Sequence, residues 1–213
     1  MFADKPIIGI TGGIGSGKSF VAKLFGEFGC LVINSDDLVR RAYKDTIVQS
    51  EIKKWWGKLM FDPNGDVDRS AVARKVFQYP SERQKLEALL HPIVDRNRET
   101  MMRTAGENPE IKAFVWDTPL LFETHLNERC DTVVFVEAPM KVRLERVSSN
   151  RGWDESELDR RENLQIPLDK KKEIADYVVV NTADAEFARG QVREVLSQVL
   201  AGAMKKPVAG GST

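Results

Sequence analysis

The sequence predicts an α/β fold built on a parallel sheet of five strands, because short apolar runs rich in β-branched residues alternate with helical patterns. Each run is nearly continuous rather than alternating, which is typical of strands covered on both faces. The predicted strands are 7–11, 31–34, 113–117, 132–136 and 177–181. The helical patterns cover 19–28, 37–43, 83–105, 140–149 and 185–203. Connections of this kind between parallel strands are right-handed.

Two of the connections are much longer than an ordinary crossover. The segment 38–108 contains Trp55, Trp56 and a turn at 62–65, and we interpret it as a helical lobe inserted between the second and third strands. We expect both tryptophans to lie in a core, with substrate contact as the alternative. The segment 141–172 is dense in arginine and lysine and has little apolar periodicity, so we interpret it as a mobile cationic lid.

The length of 213 residues is enough for one domain with a substantial core. We expect this domain to span 1–204, with core segments 6–37, 109–140 and 173–204. The remaining tail, 205–213, is small, polar and glycine-rich, and it is predicted to be disordered.

The composition argues against several classes of protein. The 32 basic and 32 acidic residues balance, so no global field attracts nucleic acid or an anionic membrane. No apolar stretch is long enough to span a bilayer, and no signal-peptide pattern is found at the N-terminus. Cys30 and Cys130 have neither metal-ligand nor disulfide-framework spacing, and we expect both to be buried small hydrophobic residues. A cytoplasmic protein is therefore expected.

A phosphate-binding loop is the strongest motif. The pattern G-x-x-x-x-G-K-S follows the first predicted strand and precedes a predicted helix, which is the context that a P-loop requires. Its candidate nucleotide-binding residues are Gly12, Gly13, Ile14, Gly15, Ser16, Gly17, Lys18 and Ser19. Glycines let backbone N–H groups converge on phosphate oxygens, and the helix N-terminus adds its positive dipole end. A chance glycine-rich turn and a dinucleotide-binding loop are the alternatives, but the Lys-Ser pair and the glycine spacing disfavour the latter.

Two residues of this loop have individual candidate roles. Lys18 supplies a positive charge for the β- and γ-phosphates, and the Ser19 hydroxyl can bind Mg²⁺. A P-loop alone does not separate kinases from other nucleotide hydrolases. An Asn-Lys-x-Asp guanine signature is not found in the sequence, so a GTPase is disfavoured.

Acidic residues follow the second and third predicted strands. Asp36 and Asp37 are equally placed either to receive a proton from a substrate hydroxyl or to cap the following helix. Asp36 could also hold Mg²⁺ through water. Asp117 ends the third strand, where acids associated with Mg²⁺ lie in P-loop enzymes, and a turn-initiating role is its alternative.

Basic side chains could complete such a site. A lone histidine such as His91 is more often structural, at a helix start or in a buried hydrogen bond. Guanidinium groups bind phosphates in bidentate fashion, and the predicted lid contains several of them. Some of these arginines are expected to pair with neighbouring glutamates on solvated helix faces. The lid arginines are Arg143, Arg146, Arg151, Arg160 and Arg161.

Taken together, these motifs resemble the dephospho-CoA kinase family along nearly the whole chain up to about residue 200. The shared elements are Gly-Ile-Thr-Gly-Gly-Ile-Gly-Ser-Gly-Lys-Ser at 9–19, Val-Ile-x-x-Asp ending at Asp36, Leu90-His91-Pro92, Asp117-x-Pro119-Leu120-Leu121-Phe122-Glu123, Arg161-x-x-x-Gln165, and Ala175-Asp176-Tyr177 followed by Asn181. The P-loop is common to many enzymes. The His-Pro, Pro-Leu-Leu-Phe-Glu and Arg-x-x-x-Gln elements, in this order, are much more specific.

This resemblance implies a three-layer α/β/α P-loop nucleotide-kinase fold with a substrate lobe and a lid. It also implies phosphorylation of the ribose 3′-hydroxyl of dephospho-CoA by ATP with Mg²⁺, which yields coenzyme A and ADP. Asp36 matches the family's general base, and Arg146 and Arg151 are the best candidates for contacts with ATP, with Lys18 and Arg146 also counted as catalytic. The implied acceptor-site residues are Asp36, Arg69, His91, Pro119 and Leu120.

One position departs from the family pattern. The family often has Asp-Ala-Asp where this chain has Asn34-Ser35-Asp36. The base is kept, but a water-mediated contact to Mg²⁺ could be weaker, so Asn34 is given no metal role.

Other functions remain open at this point. The nearest alternative is another P-loop metabolite kinase that acts on a nucleoside, a nucleotide or a shikimate-like alcohol. A regulatory ATP-binding switch without an acceptor is a second alternative. Binding of nucleic acid is disfavoured because no basic face or aromatic stacking motif is found. We expect a monomer or a weak homo-oligomer.

Overall fold

The computed structural model describes residues 1–182 and 184–203, and its centre is a parallel sheet of five strands. The strands are β1 (Ile7–Gly12), β2 (Cys30–Asn34), β3 (Ala113–Asp117), β4 (Thr132–Glu137) and β5 (Tyr177–Val180). Their order in the sheet is β2-β3-β1-β4-β5. The predicted α/β fold and its five strands are confirmed, and each predicted boundary agrees with the structure to within one residue.

Nine α-helices connect and flank these strands in the described part of the chain. They are α1 (Lys18–Glu27), α2 (Ser35–Ala42), α3 (Thr46–Trp56), α4 (Arg69–Gln78), α5 (Pro80–Gly106), α6 (Met140–Arg151), α7 (Glu155–Glu162), α8 (Leu168–Ile174) and α9 (Ala185–Ala203). Short 3₁₀ turns lie at Lys58–Met60 and Leu126–Arg129. None of these helices is both long and apolar enough to cross a membrane.

The position of β1 at the centre of the sheet explains its composition. All six of its residues are buried, and it pairs in parallel with β3 on one side and β4 on the other. Helices α1 and α9 pack together over one face, where Val21 and Phe25 meet Val192 and Leu196 in the main core. A smaller core around Leu121 holds the segment after β3.

The chain divides into two compact units. The first contains Met1–Ile33 and the chain from Met102 onward, and the second is Asn34–Met101. The second unit contains α2, α3, α4 and most of α5. Its buried side chains include Leu38, Ala42, Val48, Ile52, Ala71, Val72, Leu86, Leu90, Ile93 and Val94.

The segment predicted as a lid is largely helical. It contains most of α6, all of α7 and part of α8, which are joined by short turns. The predicted division of the chain into core, lobe and lid stays a prediction, as does the mobility of the lid. The tail 205–213 lies outside the described residues.

Several predicted positions are corrected by the structure. Trp55 and Trp56 are half-buried rather than in a core, and both face polar side chains. The Trp56 indole donates to Glu82, and Lys85 lies 4.2 Å from the Trp55 ring centroid. Cys30 is buried as predicted, but Cys130 is only partly buried.

Candidate nucleotide site

The P-loop takes a conformation that requires glycine at three positions, of which Gly12 and Gly17 have the least space. Gly12 and Gly17 have positive φ angles of 145° and 86°, which side chains rarely adopt. A Cβ at Gly12 would lie 2.4 Å from the Val136 carbonyl oxygen, and one at Gly17 would lie 2.1 Å from the Asn181 Nδ2. The loop therefore packs tightly against the ends of β4 and β5, and no side chain has room at Gly12 or Gly17.

Two side chains brace this loop from the side of β5. The Asn181 Nδ2 donates to the Ser16 carbonyl oxygen at 2.7 Å, and Asn181 is buried. The Arg146 guanidinium donates to the carbonyl oxygens of Gly15 at 3.3 Å and Ser16 at 3.2 Å. It also donates to the carbonyls of Asn181 and Thr182. These contacts hold the carbonyl side of the loop, and among its N–H groups that of Ser16 donates to the Gly13 carbonyl oxygen at 3.2 Å.

An anionic oxygen already occupies one of these N–H groups. The Ile14 N–H donates to Glu162 Oε1 at 2.9 Å, and the same oxygen pairs with Arg143 Nη1 at 2.5 Å. Arg143 is itself buried and donates to the Ile14 carbonyl at 3.3 Å. The Glu162 carboxylate is thus held between the Ile14 N–H and the Arg143 guanidinium.

Lys18 points along the loop and is largely removed from water. Its Nζ donates to the Gly12 carbonyl at 3.1 Å and to the Gly13 carbonyl at 2.9 Å. Burial lowers the pKa of Lys18 to about 8, since the charged ammonium is poorly solvated there. The Asp117 carboxylate opposes this shift most strongly, and the charge of Lys171 adds to it.

Two oxygen donors near this lysine have the chemistry that Mg²⁺ requires. Ser19 is exposed on the first turn of α1, and Asp117 is buried at the end of β3 within electrostatic range of Lys18. Hydroxyl and carboxylate oxygens are the ligands Mg²⁺ prefers, together with water and phosphate. Among the described residues, no group of three or more His, Cys, Asp or Glu side chains is placed to hold a metal ion.

The Trp153 ring contacts two of the arginines in the segment predicted as a lid. The Trp153 ring has Arg161 at 4.1 Å and Arg151 at 4.7 Å from its centroid. Arg161 also pairs with Glu157, and that carboxylate has its pKa lowered to about 2 by hydrogen bonds from Arg160 and Arg161. The charge of Arg151 lowers the pKa of Lys18, so Arg151 belongs to the electrostatic surroundings of the loop.

The remaining predicted residues fall into two groups. Pro119 and Leu120 lie exposed just after β3, in the same unit as the P-loop. Asp36, Arg69 and His91 belong to the second unit. Of these, Asp36 is exposed in the first turn of α2, and Arg69 begins α4.

In the second unit, the alternative of helix capping by Asp36 or Asp37 is wrong, and so is that of a buried or helix-start position for His91. The helix cap of α2 is Asn34, whose side chain accepts the Asp37 N–H at 3.0 Å, so neither Asp36 nor Asp37 has that role. His91 lies exposed within α5, directly before Pro92, and is neither buried nor at a helix start.

Comparison with known proteins identifies the family of this chain. The model of the dephospho-CoA kinase family matches residues 6–186. The chain belongs to the dephospho-CoA kinase family. A dephospho-CoA kinase from Anaeromyxobacter dehalogenans is 38% identical over 198 residues, which cover 92% of this chain and 93% of that protein.

Solved structures show the same fold. The crystal structure of TT1252 from Thermus thermophilus is similar with a TM-score of 0.76 and 34% identity, over 91% of this chain and 97% of that one. A dephospho-CoA kinase from Campylobacter jejuni has a TM-score of 0.68 at 23% identity, over 93% of this chain and 98% of that one, and supports the fold alone.

Two residues of the site are given no role by the sequence. Asn181 belongs only to a family element, and Glu162 is one of the glutamates that neighbour the lid arginines. Glu162 lies at the end of a highly charged helix, so no local pattern distinguishes it from a solvated residue. For Asn181, a polar residue directly after an apolar strand was the available signal.

Proposed function

We propose that this protein transfers the γ-phosphoryl group of ATP to the 3′-hydroxyl of dephospho-CoA, which yields coenzyme A and ADP as the final step of coenzyme A synthesis. The observation that carries this proposal is the family match over residues 6–186. Relatives at 33% and 38% identity are dephospho-CoA kinases over nearly their whole length.

The nucleotide half of the reaction belongs to the P-loop. Gly12 to Ser19 would hold the phosphates through backbone N–H groups, and Lys18 would add its charge to the β- and γ-phosphates. The carboxylate of Glu162 on the Ile14 N–H supports this assignment, since it is an anion on the expected donor. Arg146 would act on the same site through the loop carbonyls that it binds, and Arg151 would contact ATP from the lid.

Ser19 would hold Mg²⁺, with Asp117 or Asp36 participating through water. The metal would neutralise charge on the transferring phosphoryl group. The exposed hydroxyl of Ser19 and the carboxylate of Asp117 support this donor set.

Asp36 would be the general base. Its carboxylate would orient the 3′-hydroxyl and accept its proton as the phosphoryl group is transferred. The capping role of Asn34 supports this assignment, because Asp36 is then not needed to start α2. Arg69, His91, Pro119 and Leu120 are the proposed contacts to the remainder of the acceptor. A cytoplasmic monomer or weak homo-oligomer remains our expectation.

A direct assay tests this function. The purified protein is incubated with ATP and Mg²⁺ plus dephospho-CoA, a nucleoside monophosphate or shikimate, and the products are identified by mass spectrometry. We expect coenzyme A and ADP in equal amounts with dephospho-CoA alone. Preference for another alcohol would assign a different metabolite kinase, and ATP turnover that no acceptor changes would indicate a nucleotide switch.

The Asp36→Asn variant tests the base in the same assay. We expect kcat to fall by about 10²- to 10⁴-fold with little change in ATP affinity, because only the proton acceptor is lost. Asp37→Asn is the matched control on the same turn of α2, and it should retain activity. Near-normal turnover by the Asp36 variant would remove this residue from the mechanism.

A further inference from the structure

A buried lysine near the nucleotide site has no place in the reaction described above. Lys171 lies in α8 and its side chain is fully buried, with 0% exposure. An ammonium group is very rarely buried to this extent, because removing it from water costs several kcal/mol unless other groups compensate. Its partners therefore indicate what the charge does.

Lys171 has one partner in the turn before α8 and one in a distant part of the chain. Its Nζ lies 2.6 Å from Glu123 Oε1 and donates to Gln165 Oε1 at 3.0 Å. Glu123 follows β3, and its Oε1 also accepts the Ile166 N–H at 3.1 Å. The lysine thus ties the turn between α7 and α8 to the segment after β3.

This turn directly adjoins the P-loop. Helix α8 packs against β1 and β4, and a Cβ added to Gly13 would lie 3.1 Å from Leu168 Cδ1. A cavity of about 230 Å³ between Gly13 and α8 is also lined by Leu168 and Lys172. At the other end of the turn, Glu162 holds the Ile14 N–H. A shift of the turn would therefore move groups that touch the loop at two positions.

We propose that Lys171 is a positioning residue of the nucleotide site, which fixes the α7–α8 turn beside the P-loop through its buried contacts to Glu123 and Gln165. This inference rests on the proposed binding of ATP by the P-loop. A purely structural ion pair would affect only folding, so the two roles can be separated by experiment.

The experiment compares Lys171→Met with the double variant Lys171→Met/Glu123→Gln. Thermal unfolding is measured alongside ADP affinity by calorimetry and KM for ATP with dephospho-CoA as acceptor. The single variant leaves a buried carboxylate without its cation, so we expect a lower melting temperature and weaker ADP binding. The double variant removes both charges and should recover the melting temperature, since a neutral pair of similar volume is often as stable.

The decisive quantity is the ADP affinity of the double variant. We expect it to stay about fivefold weaker than that of the wild type, with KM for ATP raised to match, because the turn beside the P-loop has lost the contacts that fix it. Recovery of wild-type affinity together with stability would overturn the proposal and leave Lys171 a structural residue.

Two further variants keep the test decisive. Lys171→Arg retains the charge and should bind ADP within about twofold of the wild type, even where the double variant folds poorly. A loss of affinity as large as that of Lys171→Met would contradict the proposal. Lys170→Met, on the exposed side of α8, is the matched control and should change nothing. Lys18→Met tests the P-loop itself: if it bound ADP normally, the proposed nucleotide site would fail, whatever the Lys171 variants did.

Discussion

At the scale of single residues, side chains bind both the carbonyl groups and an N–H group of the P-loop. Asn181 and Arg146 bind its carbonyl oxygens, whereas Glu162 binds one of its N–H groups. The first two contacts can persist when phosphates bind, since they lie on the other side of the peptide groups. If the Ile14 N–H binds phosphate as proposed, the Glu162 contact must break, because both oxygens need the same donor.

Replacing Glu162 with glutamine should therefore strengthen nucleotide binding. The neutral amide competes less well for the Ile14 N–H and no longer repels incoming phosphates, so we expect ADP affinity to rise about three- to tenfold. The melting temperature should fall, because Arg143 loses its carboxylate partner. Calorimetric titration and thermal unfolding measure both effects, with the exposed Glu155→Gln as control. Unchanged or weaker ADP binding would contradict this view of Glu162.

The lowered pKa of Lys18 predicts that nucleotide binding takes up a proton in alkaline solution. With a pKa of about 8 the free lysine is mostly neutral at pH 9, and bound phosphates raise the pKa by favouring the charged form. We expect uptake of roughly half a proton or more per ADP at pH 9. Titration calorimetry in two buffers of different ionisation enthalpy measures this number. Lys18→Arg, which stays charged, should show no uptake, and an equal uptake in both proteins would assign the proton elsewhere.

At the scale of secondary-structure elements, the strands were predictable and the charged helices were not. Short continuous apolar runs rich in β-branched and aromatic residues, such as 113–117, favour buried strands, and the predicted boundaries agree with the structure to within one residue. Helix α7 has the sequence ESELDRRE, in which one buried residue, Leu158, gives no period to detect. The buried face of α8 includes a lysine, which any pattern of hydrophobicity assigns to the surface.

The candidate site shows the same division. The P-loop residues follow from a local motif, because all of them lie within eight positions of the chain. The contacts of Asn181, Glu162 and Lys171 join residues far apart in sequence, through hydrogen bonds that leave no local spacing. Such partners follow from the packing of β5, α7 and α8 against the loop, and only the structure supplies that.

The end of β5 should control the stiffness of the P-loop. Asn181→Ala removes the donor to the Ser16 carbonyl, and we expect about tenfold weaker ADP binding. Asn181→Asp should bind ADP still more weakly, because a carboxylate oxygen would face that carbonyl oxygen in place of a donor. Calorimetric titration measures both variants, and Gln198→Ala, exposed on α9, is the control. If the aspartate variant bound ADP better than the alanine variant, the bracing role would be wrong.

At the scale of the whole molecule, the main core around the sheet buries a cysteine whose reactivity can report on unfolding. Cys30 is buried at the start of β2, and burial raises the pKa of its thiol to about 12. Only about one thiol in ten thousand is then ionised at pH 8. Because the thiolate is the reactive form, Cys30 should react with a disulfide reagent only when this core opens.

A variant with Cys130→Ala makes this property a measure of global stability. We expect no labelling of the native protein at pH 8 over hours and complete labelling in denaturant. Saturating ADP should slow any residual labelling, since a ligand of the folded state lowers the population of the open one. Mass spectrometry counts the modified protein. Rapid labelling that ADP does not slow would show that the start of β2 opens locally.

The brace by Asn181 has a consequence for how the enzyme is made. The phosphate-binding loop leaves the ribosome well before the side chain that fixes it, which follows 165 residues later. A nascent chain that still lacks β5 would present the loop without its support. We therefore expect stalled chains to retain ATP on a phosphate resin only when the stall lies well beyond position 181, which would keep incomplete copies from capturing nucleotide during translation.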